Sequence, residues 1–196
     1  MIPPHLPHQP YLSYLPLVAM WFGMMTLMMV PTVSPWVMAV NRLGGNPAIF
    51  STGYIAAWLL YSLAAASIQL LLPHELPEAL AASILFLAGA FQFAPIKRAC
   101  LMHCRNPLTY FLTRWRDGAA GGFRMGFGHG IFCVACCWAL MATTLAVGVM
   151  SLWWMAALAL VTFAEQVSPW GNRVRVGVGI GLIGASVFAA TGIAFR

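Results

Sequence analysis

Long apolar stretches separated by short polar or proline-rich breaks run through the whole chain. Stretches of about 20 apolar residues without period-two alternation predict membrane-spanning helices rather than a barrel. The first runs from about Tyr11 toward Val40, where Pro31 and Pro35 are expected to kink it or end it early. The second runs from Pro47 to Leu72, opened by the turn-like Gly44-Gly45-Asn46 and closed by Pro73, and the third from Glu78 to about Ala94. The fourth covers Phe123 to Val147, a shorter fifth covers Ser151 to about Gln166, and a sixth covers Val174 to Phe195. Gly177, Gly179, Gly181 and Gly184 in the sixth permit close helix approach. Between the third and fourth spans, Ile96 to Asn106 is bracketed by Pro95 and Pro107 and predicts a short helix inside a loop over 95–121. The expected fold is all-α: a polytopic transmembrane bundle of about six spans, one integral membrane domain over 1–196 with an outer tail over 1–10.

Composition sharpens this picture. The 196 residues are 61% hydrophobic and 7% charged, with a mean hydropathy of +0.83, which excludes a soluble globule of ordinary make-up. The net charge of +6 does not form a nucleic-acid patch, because the basic residues gather between apolar segments. Arg42 lies in the first loop and only Glu75 and Glu78 in the second. Lys97, Arg98, Arg105, Arg114, Arg116 and Arg124 surround the third, the fourth is uncharged, and Arg173 and Arg175 occupy the fifth. Basic and non-basic loops alternate, so the positive-inside rule places the 95–121 loop in the cytoplasm and both termini outside it. Trp153, Trp154 and Trp170 bracket the fifth span as interfacial aromatics do. Met1 to Pro10 lacks a charged leader and contains four prolines, so the first span is expected to remain as an anchor.

The chemistry sits in two short motifs. His129-x-x-x-Cys133-x-x-Cys136-Cys137 falls inside the fourth span, and Cys100-x-x-His103-Cys104 in the preceding loop; together they hold all five cysteines. At about 100° per residue, His129, Cys133, Cys136 and Cys137 share one helical face, and Cys100, His103 and Cys104 share another. The ladder from His129 to Cys137 is about 12 Å long, too long for one ion to use both ends, so it predicts two sites or one completed by the upstream motif. Thiolate and imidazole select Cu(I) or Zn(II) over oxygen-seeking cations, and a reducing cytoplasm keeps the thiols available. Packing alone, with cysteines as small hydrophobes, is the competing explanation. Ligand-type residues concentrated at i, i+3 and i+4 within a membrane helix weigh against it.

Met20, Met24 and Met28 line one face of the first span, with Met25 and Met29 on the neighbouring face. Thioethers bind Cu(I) and do little for Zn(II), so this ladder shifts the choice toward copper, although methionine also fills gaps in apolar packing. Met125 and Met141 extend the fourth-span ladder by one rung at each end. Glu165 is expected to pair with an arginine, Gln69 and Gln92 to hydrogen-bond between helices, and His5 and His8 to lie in a disordered tail.

Over most of its length from Ala19 onward the sequence resembles a bacterial family of predicted metal-binding integral membrane proteins, a domain of unknown function. The matching strings include Ala19-Met20, Met24-Met25 and Met28-Met29 before Pro31, then Gly53-Tyr54 with Trp58, and Pro95-Ile96-Lys97-Arg98-Ala99-Cys100 running into His103-Cys104-Arg105-Asn106-Pro107-Leu108. Arg124-Met125-Gly126, His129-Gly130, Cys133, Cys136-Cys137-Trp138 and Trp154-Met155-Ala156 follow. The resemblance implies a multi-pass protein of the bacterial inner membrane that binds metal through these cysteines and histidines.

The function expected is Cu(I) handling, by transport, delivery or sensing, with zinc as the alternative metal. The candidate ligands are Cys100, His103, Cys104, His129, Cys133, Cys136 and Cys137, with Met20, Met24 and Met28 as the ladder. The lipid bilayer, other membrane subunits and a metal donor or acceptor protein are the expected partners, and nucleic acid is not. A thiol-disulfide oxidoreductase is one competing function, though such exchange serves the oxidising side of a membrane. An accessory subunit with a structural metal is another. No hydrolase arrangement, phosphate loop or dinucleotide fingerprint occurs, and four acidic residues leave little for acid/base chemistry, so an enzyme is not expected.

Overall fold

The computed structural model describes residues 10–72, 76–147 and 151–191, with side chains from Tyr14 onward. His5, His8, Pro73, Glu75 and the end of the sixth span lie outside the described residues. Within them the chain forms eight α-helices and no strand: α1 (Pro10–Arg42), α2 (Pro47–Leu71), α3 (Glu78–Phe91), α4 (Pro95–Cys104), α5 (Pro107–Arg114), α6 (Gly118–Val147), α7 (Leu152–Val167) and α8 (Gly171–Ala190).

Local chemistry sets most of these boundaries. Gly44 takes a φ of +79°, open to glycine without strain. Asn46 then caps α2 by accepting from the backbone N–H groups of Ala48 and Ile49 at 2.9 and 3.3 Å, with Pro47 at the first helical position. Proline likewise opens α4 and α5. Of the two outcomes expected at Pro31 and Pro35, the early end does not occur: the helix continues through both. A proline at position 35 leaves the carbonyl of residue 31 without its N–H, and the Ser34 hydroxyl donates to that carbonyl at 2.9 Å. The 95–121 loop is largely helical, comprising α4, α5 and the first turn of α6, which begins at Gly118 rather than Phe123.

Four helices, α1, α2, α6 and α8, are long and apolar enough to cross a membrane. A fifth crossing results if α3 and α4, bent by 64° at their junction, form one broken span. At 16 residues, about 24 Å, α7 falls short of a hydrocarbon core of about 30 Å. The expectation of six spans is therefore approximate.

Glycines let helix pairs approach closely. On α6, Gly126 lies against the Phe50 carbonyl of α2, and a Cβ on Gly130 would come within 2.6 Å of Ala57. Gly53 of α2 abuts the Phe123 carbonyl of α6 in return. This is the small-xxx-small contact of membrane helices. On α8, Gly179 plays such a role, where a Cβ would meet the Phe93 ring at 2.7 Å and where Gly89 of α3 packs in return, and Gly171 at its start abuts the Glu165 carbonyl of α7. Gly177, Gly181 and Gly184, at i, i+4 and i+7, share the opposite face of the helix, which meets open space. Large apolar side chains such as Leu27, Leu71, Leu87, Leu160 and Ile180 are exposed on the outer faces, as in proteins that meet lipid.

Candidate metal centre

The buried face of α4 comprises Lys97, Cys100, Leu101 and Cys104, one stripe at i, i+3, i+4 and i+7. The bend between α3 and α4 turns this stripe onto α6. There Cys104 neighbours Cys133 and Cys136, and Cys133 neighbours Cys136 and Cys137. The Cys137 thiol donates along its own helix to the Cys133 carbonyl at 2.8 Å. Cys100 is buried one turn before Cys104. All five thiols are buried and free.

Two polar side chains frame this sulfur group. The Gln166 amide of α7 donates to Cys133 and Cys136, each at 3.7 Å, and the Tyr54 hydroxyl of α2 lies 3.3 Å from the Cys133 sulfur. Among the described residues no three His, Cys, Asp or Glu side chains form a ready-made coordination shell. Tetrahedral zinc asks for four ligands, whereas Cu(I) is content with two soft donors, so a pair of thiolates here fits copper better than zinc.

His129 stands apart, in an aromatic stack. Its ring lies 3.6 Å from that of Trp36 at an interplanar angle of 18°, with Tyr54 at 5.5 Å on a nearly parallel plane. His103 stacks on Phe132 at 4.0 Å, and its ring centroid is 6.4 Å from that of His129. His129 Nδ1 and His103 Nε2 are buried without hydrogen-bond partners. Trp36 ties this stack to the thiols, because its indole N–H donates to the Cys104 carbonyl at 2.9 Å, one of the last-turn carbonyls a helix leaves open.

Of the methionines, Met24, Met25, Met28, Met29 and Met141 share one continuous buried core with all five cysteines, and Met20 sits half-buried at its edge. Met25 and Met29 are the most enclosed of the run, more so than the expected face of Met20, Met24 and Met28. Met125 belongs to a separate aromatic core around Trp36 and Phe50.

A buried polar cluster adjoins the thiols. Lys97 and Glu165, at 0% and 1% exposure, form an ion pair of 2.7 Å. The expected acidic pairing therefore exists, with lysine in place of arginine. Gln69 links helices as expected, accepting from Trp21 Nε1 at 2.6 Å. Gln92 does so through its backbone, which accepts from Arg175, while its side-chain amide has no hydrogen-bond partner. Trp36, Tyr54 and Gln166 carried no signal in the cysteine and histidine spacing, because each arrives from a different helix.

No curated protein and no solved structure matches the chain significantly. Residues 18–189 match the PpoB2 family, described as copper chaperone, and at that coverage the chain belongs to this copper-chaperone family.

Proposed function

We propose that this protein is a multi-pass chaperone for Cu(I) in a bacterial inner membrane, holding the ion on a pair of thiolates drawn from Cys104, Cys133 and Cys136. The reading is carried by the packing of α4 on α6, which brings free, buried thiols from two helices together. Soft thiolates select Cu(I), and burial keeps both water and oxidants from them. Cys100 and Cys137 are reserve ligands at either side. The methionines of α1 offer thioethers through the same core, and His103 and His129 flank the approach to Cys133.

In this reading the whole chain is one integral membrane domain, and the short α7 completes a sixth crossing where the bilayer thins around it. The basic α4 to α6 region faces the cytoplasm with both termini outside. The partners are a copper donor or acceptor protein and neighbouring membrane subunits, and no enzymatic step is involved. Buried thiols also argue against an oxidoreductase, whose reactive cysteines need to be accessible.

Anaerobic Cu(I) titration of the purified protein against a chromophoric chelator tests the assignment, with zinc run in parallel. Wild type is expected to withdraw copper from the chelator, and Cys133→Ser/Cys136→Ser and Cys104→Ser to lose this capacity. Equal copper retention by these variants, or preference for zinc, would overturn it.

A further inference from the structure

The groove between α5 and the start of α6 has no part in the thiol site. It encloses about 520 Å³ and is lined by Tyr110, Thr113, Arg114, Arg116 and Arg124, among others. A second hollow of about 280 Å³ adjoins it through Tyr110, Thr113 and Arg114 and is bordered by His103. Arg114, Arg116 and Arg124 are exposed, and among the described residues none of them forms an ion pair. The neighbouring acid, Asp117, accepts from Trp115 Nε1 at 2.8 Å and lines not this groove but an adjoining cavity that Arg116 also borders. At the inner end His103 Nε2 is buried without a partner. Its ring is 6.4 Å from that of His129, one helical turn before Cys133.

Three guanidinium groups around one hollow repel a bare monovalent metal cation and concentrate anions. Cu(I) bound by two thiolates carries a net negative charge, and carboxylates on the thiol carrier add to it. We propose that this groove receives Cu(I) as an anionic complex with a low-molecular-mass, carboxylate-bearing thiol and passes it by His103 to the cysteines. The inference rests on the reading of Cys104, Cys133 and Cys136 as the copper site. In the exchange, two copper–sulfur bonds to the carrier break and two to cysteine form. The cysteine protons leave on the released carrier thiols, copper stays Cu(I), and no electron moves. The arginines also suit the carboxylates, which guanidinium binds in a matching two-point geometry.

The full chain in phosphatidylcholine nanodiscs, without oxygen, would be loaded from Cu(I)–glutathione, an anionic complex, and from Cu(I)–cysteamine, whose amines are cationic. Arg114→Gln/Arg116→Gln/Arg124→Gln is expected to slow loading from glutathione by about tenfold or more and not from cysteamine, with the wild-type advantage shrinking as salt rises. The corresponding triple lysine variant, which keeps the charge, should load nearly as fast as wild type. Equal slowing with both carriers, no slowing with either, or a lysine variant as slow as the glutamine one would overturn the inference and leave the copper site standing. An arginine effect erased by phosphatidylglycerol in the discs would assign the groove to lipid headgroups and also overturn it. Failure of the wild type to take copper from any carrier would remove the copper site itself.

Discussion

Glu165→Gln removes one partner of the Lys97–Glu165 pair while keeping the shape of the side chain. Lys97 is 0% exposed, and its ammonium has no hydrogen-bond partner beyond the carboxylate 2.7 Å away. The substitution therefore strands a buried positive charge, which costs about 3–5 kcal/mol. For a chain of this size about 2–4 °C of Tm accompanies each kcal/mol, so the expected loss is roughly 6–20 °C. Thermal unfolding in detergent, followed by tryptophan fluorescence, reads it directly. The double variant Lys97→Met/Glu165→Leu replaces both charges with apolar groups of similar volume and should recover most of the loss, since well-packed hydrophobes match or exceed a buried ion pair. A single variant within about a degree of wild type would refute the argument, as would a double variant no better than the single.

Other consequences can be checked in the same preparation. Gly126→Ala should destabilise by about 1–3 kcal/mol, because its methyl group meets the Phe50 backbone. Gly177→Ala, with nothing within 4 Å, should be neutral or stabilising by up to about 1 kcal/mol; the two Tm values measured together test the helix contact. Trp36→Phe removes the N–H that serves the Cys104 carbonyl and should cost about 1–3 kcal/mol while weakening Cu(I) retention in the chelator competition. Met25→Leu/Met29→Leu should lower copper loading more than Met20→Leu, measured by loading rate, because Met25 and Met29 are enclosed in the same core as the thiols. In intact cells an impermeant thiol reagent should leave Cys100 and Cys104 unlabelled from outside, and strong labelling would reverse the proposed orientation.

Several helix ends were readable because hydropathy, prolines and turn residues act locally: Pro47 and Pro95 open helices where expected, whereas α5 after Pro107 and the start of α6 at Gly118 were not foreseen. Nor was the continuity of α1, since it depends on the Ser34 hydroxyl reaching the carbonyl that Pro35 leaves open. Helical spacing identified one face of cysteines on α4 and one on α6, yet it could not say that His129 would stack on Trp36 instead of facing the thiols. Such pairings join residues 93 positions apart (from Trp36 to His129) and are fixed only by three-dimensional packing. The glycines show the same limit. Of the run of four in the sixth span only Gly179 makes a close contact, while Gly53, Gly126 and Gly130 bring α2 and α6 together.

The short helix α4 is fastened at both ends. Lys97 in its first turn is bound to Glu165, and the carbonyl of Cys104 at its last residue is bound to Trp36. A segment clasped this way cannot swing outward about one end without opening the other. Any process that must expose the Cys104 sulfur therefore waits on the breaking of a clasp, a local opening whose timescale runs from microseconds to seconds. Residence time at this position is then a property of the helix fastening as much as of the strength of any bond to sulfur.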